Sequence, residues 1–209
     1  MLEHVPHWLG HPLRNVRAGA DKLCIAQAEL GGGFAALDLS SPAFADGAAL
    51  PPRFTADGDG VSPPLLWGAV PEGTQSLALI VEDPDAPAPQ PLVHAIVWGM
   101  PALERRLAEG AIRPDGAGGP DGRDVGRNSY FREGWLPPDP PTGHGPHSYA
   151  FQLFALGPVD DDPGDTPGRG ALVKAMAGRV LAAGFLTGTY ARGEPAPIGS
   201  LGSAAAAPA

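Results

Sequence analysis

Thirty glycines and twenty-six prolines are scattered along the whole of this 209-residue chain. Both residue types punctuate regular structure, so a long helical bundle is excluded and many turns with long structured loops are required. The segments between these turns decide the fold. Leu65 to Trp67, Leu77 to Val81, Val93 to Trp98 and Ser148 to Leu156 are apolar runs of strand length. Phe34 to Leu39 and Phe185 to Tyr190 add two short strand candidates. Two stretches carry helical spacing. Residues 8–24 place Leu9, Leu13, Val16 and Ala20 on one stripe, ahead of the break at Gly31-Gly32-Gly33. Residues 171–183 do the same with Val173, Met176, Val180 and Ala183, and Gly184 ends that helix. No internal repeat is visible. Many short strands, long turns and few helices predict a mostly β chain, an antiparallel β-sandwich with peripheral helices.

The predicted organisation is an N-terminal helical extension over 1–40, a β domain over 41–201 and a frayed tail over 202–209. The hydrophobic fraction of 43% supplies a sizeable core. A net charge of -9 argues against nucleic acid and anionic membranes as partners. Cys24 is the single cysteine, which excludes an intramolecular disulfide and a cysteine-based zinc site. The start of the chain lacks the basic and apolar regions of a signal peptide, and no apolar stretch is long enough to span a membrane. The expectation is a soluble cytoplasmic protein with no membrane insertion.

Chemistry concentrates in two motifs at strand ends. Asp83-Pro84-Asp85-Ala86-Pro87 closes the Leu77 run and is followed by His94. Gly143-His144-Gly145-Pro146-His147-Ser148-Tyr149 opens the strand that carries Phe151. Proline stiffens both turns, and an X-Pro bond there has access to the cis form. Joined by the fold, they form a polar pocket of two carboxylates, two imidazoles and a phenol. Two readings of the aspartates stay open: they orient a histidine or a ligand, or they cap turns through their own backbone. Strand alternation places His94, Ile96 and Trp98 on one face, and His147 with Tyr149, Phe151, Leu153 and Ala155 on another. An N–H from His147 beside the Tyr149 hydroxyl suits an oxyanion. Asp83 is expected to accept a hydrogen bond from His94 or His147 and to favour the imidazolium.

Other chemistries fit poorly. His144-x-x-His147 lies on a Gly/Pro turn without the helical geometry of zinc motifs, and His4, His7 and His11 sit near the chain end; no metal and no cofactor are expected. No Gly-x-Ser-x-Gly elbow occurs, and Ser148 faces away from its neighbour His147. No phosphate-binding glycine loop is present.

From Pro52 to Arg192 the chain resembles the phosphatidylethanolamine-binding protein family, in its bacterial Raf-kinase-inhibitor-like branch. The residues that carry the resemblance are Ser62-Pro63-Pro64-Leu65-Leu66-Trp67, Asp83 to Pro87 with His94, Gly126-Arg127-Asn128, Pro140-Pro141, Gly143 to Tyr149 with Phe151, and Gly188-Thr189-Tyr190. The resemblance implies a β-sandwich whose pocket binds phosphate or a phospholipid head group. It assigns ligand binding to Asp83, His94, Pro140, Pro141, His147 and Tyr149, with Trp98 as a weaker match. It also implies modulation of a protein partner and assigns no catalytic residue. Ser148 departs from the family's arginine, and Leu136-Pro137-Pro138-Asp139 from its glycine-rich stretch. The two prolines remove N–H donors, and Asp139 adds a negative charge. The leading expectation is a non-catalytic protein with a small-anion pocket. The alternatives are a hydrolase or lyase using the Asp/His set for acid–base work, and an interaction protein with a vestigial pocket, dimerised through its N-terminal helix; the apolar stripe of that helix predicts a homodimer.

Overall fold

The computed structural model describes residues 15–115, 124–158 and 161–192. Leu9 and Leu13 of the predicted N-terminal stripe, the three N-terminal histidines and the tail from 202 lie outside these residues.

Among the described residues, nine strands form two sheets. They are β1 (Ala35–Ala36), β2 (Leu39–Ser40), β3 (Leu65–Trp67), β4 (Ser76–Asp83), β5 (Leu92–Pro101), β6 (Arg106–Leu107), β7 (Asp124–Val125), β8 (His147–Leu156) and β9 (Val180–Tyr190). The large sheet runs β1-β9-β8-β4-β5-β7 and the small one β2-β3-β6. All pairings are antiparallel except β1 with β9. The mostly β architecture predicted from the turn density is therefore the one found.

The central strands are covered on both sides, which is why β4 and β8 read as nearly continuous apolar runs. Leu77, Leu79, Val81, Tyr149, Phe151 and Leu153 face the small sheet, packing with Leu65, Trp67, Phe44 and Leu50. Ala78, Ile80, Val93, Ile96, Trp98, Phe154 and Leu156 face the other way, under α1 (Arg169–Met176), the one α-helix among the described residues, and the segment holding Cys24 and Leu30. Glu82 is fully buried on this second side. It accepts from Arg169 Nε (2.6 Å), the Cys24 backbone N–H (2.6 Å) and Gln152 Nε2 (2.8 Å). A buried carboxylate demands such compensation. Here it fastens the N-terminal segment and the helix to the sheet.

Three expectations are corrected. The described part of residues 8–24 is not α-helical. Gly19 has φ 104, and residues 20–30 make three single 3₁₀ turns at Ala20–Lys22, Cys24–Ala26 and Ala28–Leu30. The chain instead hydrogen-bonds to the Asp83–Pro87 turn, Ala18 N to Ala86 O and Gly19 N to Pro84 O. The helix predicted over 171–183 ends at Met176, because Val180 and Ala183 belong to β9, which pairs with β8 from Val180 to Tyr190. Ladder pairing outweighs a periodicity that the two residues satisfied equally well. Phe34 to Leu39 is two short strands in different sheets.

Candidate functional site

A fourth correction creates the site. In the β4–β5 register Val81 pairs with Ala95 but Glu82 pairs with Val93, so His94 is the extra residue of a β-bulge. A bulge re-aims a side chain. Val93, Ile96 and Trp98 pack on the helix side, while His94 turns with Ala95 to the opposite face, beside Tyr149. The predicted shared face of His94, Ile96 and Trp98 is therefore absent, and Trp98 is a core residue rather than a pocket residue. Trp135 is a second aromatic neighbour of His94, with ring centroids 6.2 Å apart.

On β8 the alternation holds as expected. His147 and Tyr149 share the side of Phe151, Leu153 and Ala155, and the register sets His147 opposite Tyr190 on β9. Entry to β8 is a sharp turn in which Gly143 (φ 83) and Gly145 (φ 100) take left-handed conformations that side chains resist. This turn folds His144 back on His147, with Nδ1 of the former 2.7 Å from Nε2 of the latter. His147 Nδ1 lies 2.7 Å from Asp83 Oδ2. A carboxylate only accepts, so this nitrogen donates, and Asp83–His147–His144 is a buried hydrogen-bonded chain.

Both readings of the aspartates hold. Asp83 Oδ1 accepts the Asp85 backbone N–H at 2.8 Å, an Asx-type turn, while Oδ2 orients His147. Asp85 leaves the pocket. It accepts the Ser148 N–H at 2.7 Å and pairs with Arg17 at 2.7 Å on the outer face. Burial would raise the Asp85 carboxyl, but the Ser148 bonds and the Arg17 guanidinium outweigh it and hold the group below its usual range. Arg17 also donates to Pro146 O, so one side chain ties the two motif loops together. Sequence reading missed Arg17 because nothing local marks its partners. No peptide bond among the described residues is cis.

Asp83, His94, His147 and Tyr149 form the polar floor of a cavity of about 280 Å³. Its lining is otherwise largely apolar, with Ala86, Pro87, Ala88 and Leu92 from the Asp83 motif and its sequel, Leu136, Pro137, Pro140 and Pro141 from the proline segment, and Tyr130 and Asp139 besides. All six residues predicted to bind ligand thus line one cavity, and the predicted second carboxylate, Asp85, is replaced by Asp139. Asp139 is held by Arg192, which also grips Asp57 through Nε (2.9 Å) and Nη2 (2.6 Å). Tyr190 Oη donates to Asp57 at 2.5 Å. This cluster pins the proline segment to the end of β9.

Leu136 clamps His94 twice. Its N–H donates to His94 O at 2.8 Å, and its carbonyl stands 2.7 Å from His94 Nδ1. The other ring nitrogen, Nε2, and the Tyr149 hydroxyl are buried and have no protein hydrogen-bond partner among the described residues. Their rings meet edge to face with centroids 5.0 Å apart. Burial holds the His94 ring below its ordinary value of 6.5, against the opposing pull of Asp83 and the Leu136 carbonyl. The expected imidazolium is therefore not favoured at His94. Burial, reinforced by Asp83, pushes the Tyr149 phenol far up, so it stays a hydroxyl.

Comparison with known proteins agrees with this geometry. The family model described as "Phosphatidylethanolamine-binding protein" matches residues 40–191. A UPF0098 protein of Methanothermobacter thermautotrophicus is 39% identical over 158 residues, covering 75% of this chain and 100% of that protein. One of Aquifex aeolicus is 37% identical over 162 residues, covering 77% and 91%. Among solved structures, E. coli YbcL, described as a new member of the mammalian PEBP family, superimposes with TM-score 0.67 at 32% identity, covering 75% of this chain and 99% of its own. CT736 of Chlamydia trachomatis, described as a putative phosphatidylethanolamine-binding protein homolog, gives TM-score 0.65 at 34% identity, covering 74% and 97%. The two-sheet fold, the paired strand-end motifs and these matches together establish that the chain belongs to the phosphatidylethanolamine-binding protein family.

Proposed function

We propose that this chain is a non-catalytic binding protein whose pocket takes a small oxyanion carried on an apolar body, a phosphate ester or phospholipid head group, and that the protein modulates a protein partner. The observation that carries this reading is the pair of buried, unpartnered polar atoms, His94 Nε2 and Tyr149 Oη, on the floor of a proline-walled cavity. Buried polar groups without partners are rare, and a site that presents two of them side by side is suited to a ligand that satisfies both. The apolar walls suit the carbon skeleton of such a ligand. Hydrolysis has less support. Ser148 lies on the outer face near Arg17 and Phe185, and Cys24 is buried behind the sheet, so neither reaches the cavity as a nucleophile.

Calorimetric titration with phenyl phosphate tests the reading. Wild type should bind with one site per chain, and Tyr149→Phe should bind roughly tenfold more weakly, the usual cost of a hydrogen bond to a charged group. No binding by wild type would overturn the proposal. Steady release of phenol during incubation would favour the acid–base alternative through Asp83, His147 and His144.

A further inference from the structure

Between β7 and β8 the chain closes a tight loop and sets Phe131 at its tip. Arg127 and Glu133 form an isolated antiparallel bridge across it. Inside, the Asn128 N–H donates to Arg132 O at 2.8 Å, and the Phe131 N–H to Asn128 O at 2.9 Å. The buried Asn128 side chain accepts from the Tyr130 N–H at 2.9 Å and donates to Gly134 O at 3.3 Å. Ser129 fastens the loop to β5, accepting the Val93 N–H on Oγ at 2.7 Å and donating its own N–H to Val93 O at 2.9 Å. Phe131 has φ 59 and is the only non-glycine residue with positive φ among the described residues. Its β-carbon resists that conformation. The ring is nevertheless 85% exposed, so packing against its own chain does not offset the strain. Strained residues that the surroundings hold in place cluster at functional sites.

The charges around the ring are positive. Phe131 lines a groove of about 370 Å³ together with Pro91, Val93, Arg127 and Arg169, and no carboxylate of the described residues lines it. Arg169 is paired with Glu82. Arg127 reaches the neutral Thr166 carbonyl through Nε. Neither Arg127 nor the exposed Arg132 beside Phe131 forms an ion pair with a carboxylate among the described residues. On a chain of net charge -9 this is a local concentration of positive charge around an aromatic ring. Aromatic residues and arginine are the groups that anchor protein interfaces. A loop already held rigid spares the ordering cost of binding. A concave groove on an otherwise acidic protein suits a peptide segment better than an anionic bilayer.

We propose that the groove beside Phe131 docks an acidic segment of a partner protein. An apolar side chain of that segment packs against Phe131 and Val93, and its carboxylates meet Arg127 and Arg132. This rests on the partner-binding part of the reading above. The docking surface shares one loop with the oxyanion pocket, which Tyr130 lines, but uses none of the pocket floor.

Random linear peptides displayed on phage, selected on the full chain, test it. The enriched peptides should carry acidic residues around an aromatic or aliphatic one. A synthetic copy of the strongest should bind by calorimetry, and more weakly as salt rises. Its affinity should fall at least about tenfold with Phe131→Gly, and again with the double variant Arg127→Glu and Arg132→Glu, as expected for interface anchors. Phe131→Gly should not lower the melting temperature, because glycine accepts a positive φ. A lower one would mean that the ring serves its own fold and would overturn the inference. Peptides without acidic character, or equal binding by the variants, would overturn it and leave partner binding to another surface. No enrichment at all would remove the partner reading and this inference together, while phenyl phosphate titration still reports on the oxyanion pocket. Phe131-dependent flotation with phosphatidylglycerol vesicles would assign the tip to a lipid surface, and Phe131-dependent self-association in sedimentation velocity would assign it to a second copy. Either result overturns the proposal.

Discussion

The Asp83 carboxylate and the His147 imidazole share a 2.7 Å hydrogen bond with both side chains buried. Breaking such a pair from one side leaves a charge or acceptor without compensation, at a cost of about 3–5 kcal/mol. His147→Ala should lose that much in urea denaturation at neutral pH. Asp83→Asn placed in the same background should recover a substantial part, because it removes the buried charge. A double variant no more stable than His147→Ala would contradict the pairing.

Glu82 predicts a second stability effect, unconnected with the pocket. Its carboxylate depends on Arg169 for charge and on the Cys24 N–H and Gln152 for hydrogen bonds. Arg169→Ala should destabilise the protein by about 3–5 kcal/mol while leaving affinity for phenyl phosphate within about twofold, as expected for sites without shared partners. Denaturation and calorimetry on the same preparation separate the two. A large loss of affinity with unchanged stability would show that the network serves the ligand instead.

Cys24 is fully buried, and burial with the nearby Glu82 carboxylate pushes its thiol far above the ordinary range. Thiolate is the reactive form. A thiol-specific reagent should therefore leave the native protein unmodified at neutral pH and label one thiol per chain in urea. Rapid labelling under native conditions would mean that the N-terminal segment does not stay on the sheet.

The His94 ring predicts a pH effect on folding. Its folded pKa lies below the ordinary value of 6.5 because of burial. As pH falls through about 6.5, the unfolded chain takes up a proton that the folded ring does not, so stability drops. The drop ends once pH passes below the folded value. His94→Gln, which has no proton to take up, should show a shallower fall in urea midpoint between about pH 7 and about pH 5. Parallel curves for the two proteins would show that this ring does not carry the effect.

Much of the fold was legible because the large sheet is buried on both sides, so β4, β5 and β8 announce themselves as apolar runs. Residue pairs that satisfy two periodicities were not legible. Val180 and Ala183 fit a helix stripe and a strand equally, and only the ladder to β8 decides between them. The motif residues Asp83, His94, His147 and Tyr149 were readable as a group, but their roles were not. The β5 bulge that turns His94 toward Tyr149 leaves no trace in alternation, and it makes His94 rather than His147 the ring with an unpartnered nitrogen at the cavity. Arg17 and Arg192 escaped notice because their partners are remote: Arg192 meets Asp139 from 53 positions away, and Arg17 meets Pro146 from 129.

The central claim is that His94 Nε2 and Tyr149 Oη together receive the ligand. A crystal structure of the protein soaked with phenyl phosphate tests it most directly. The phosphoryl group should lie with one oxygen within about 2.5–3.2 Å of each atom and the phenyl ring against Leu136, Pro137 and Pro141. A phosphoryl group bound elsewhere, for instance beside Arg127 and Arg169 in the groove next to Phe131, with the His94–Tyr149 pair untouched, would contradict it.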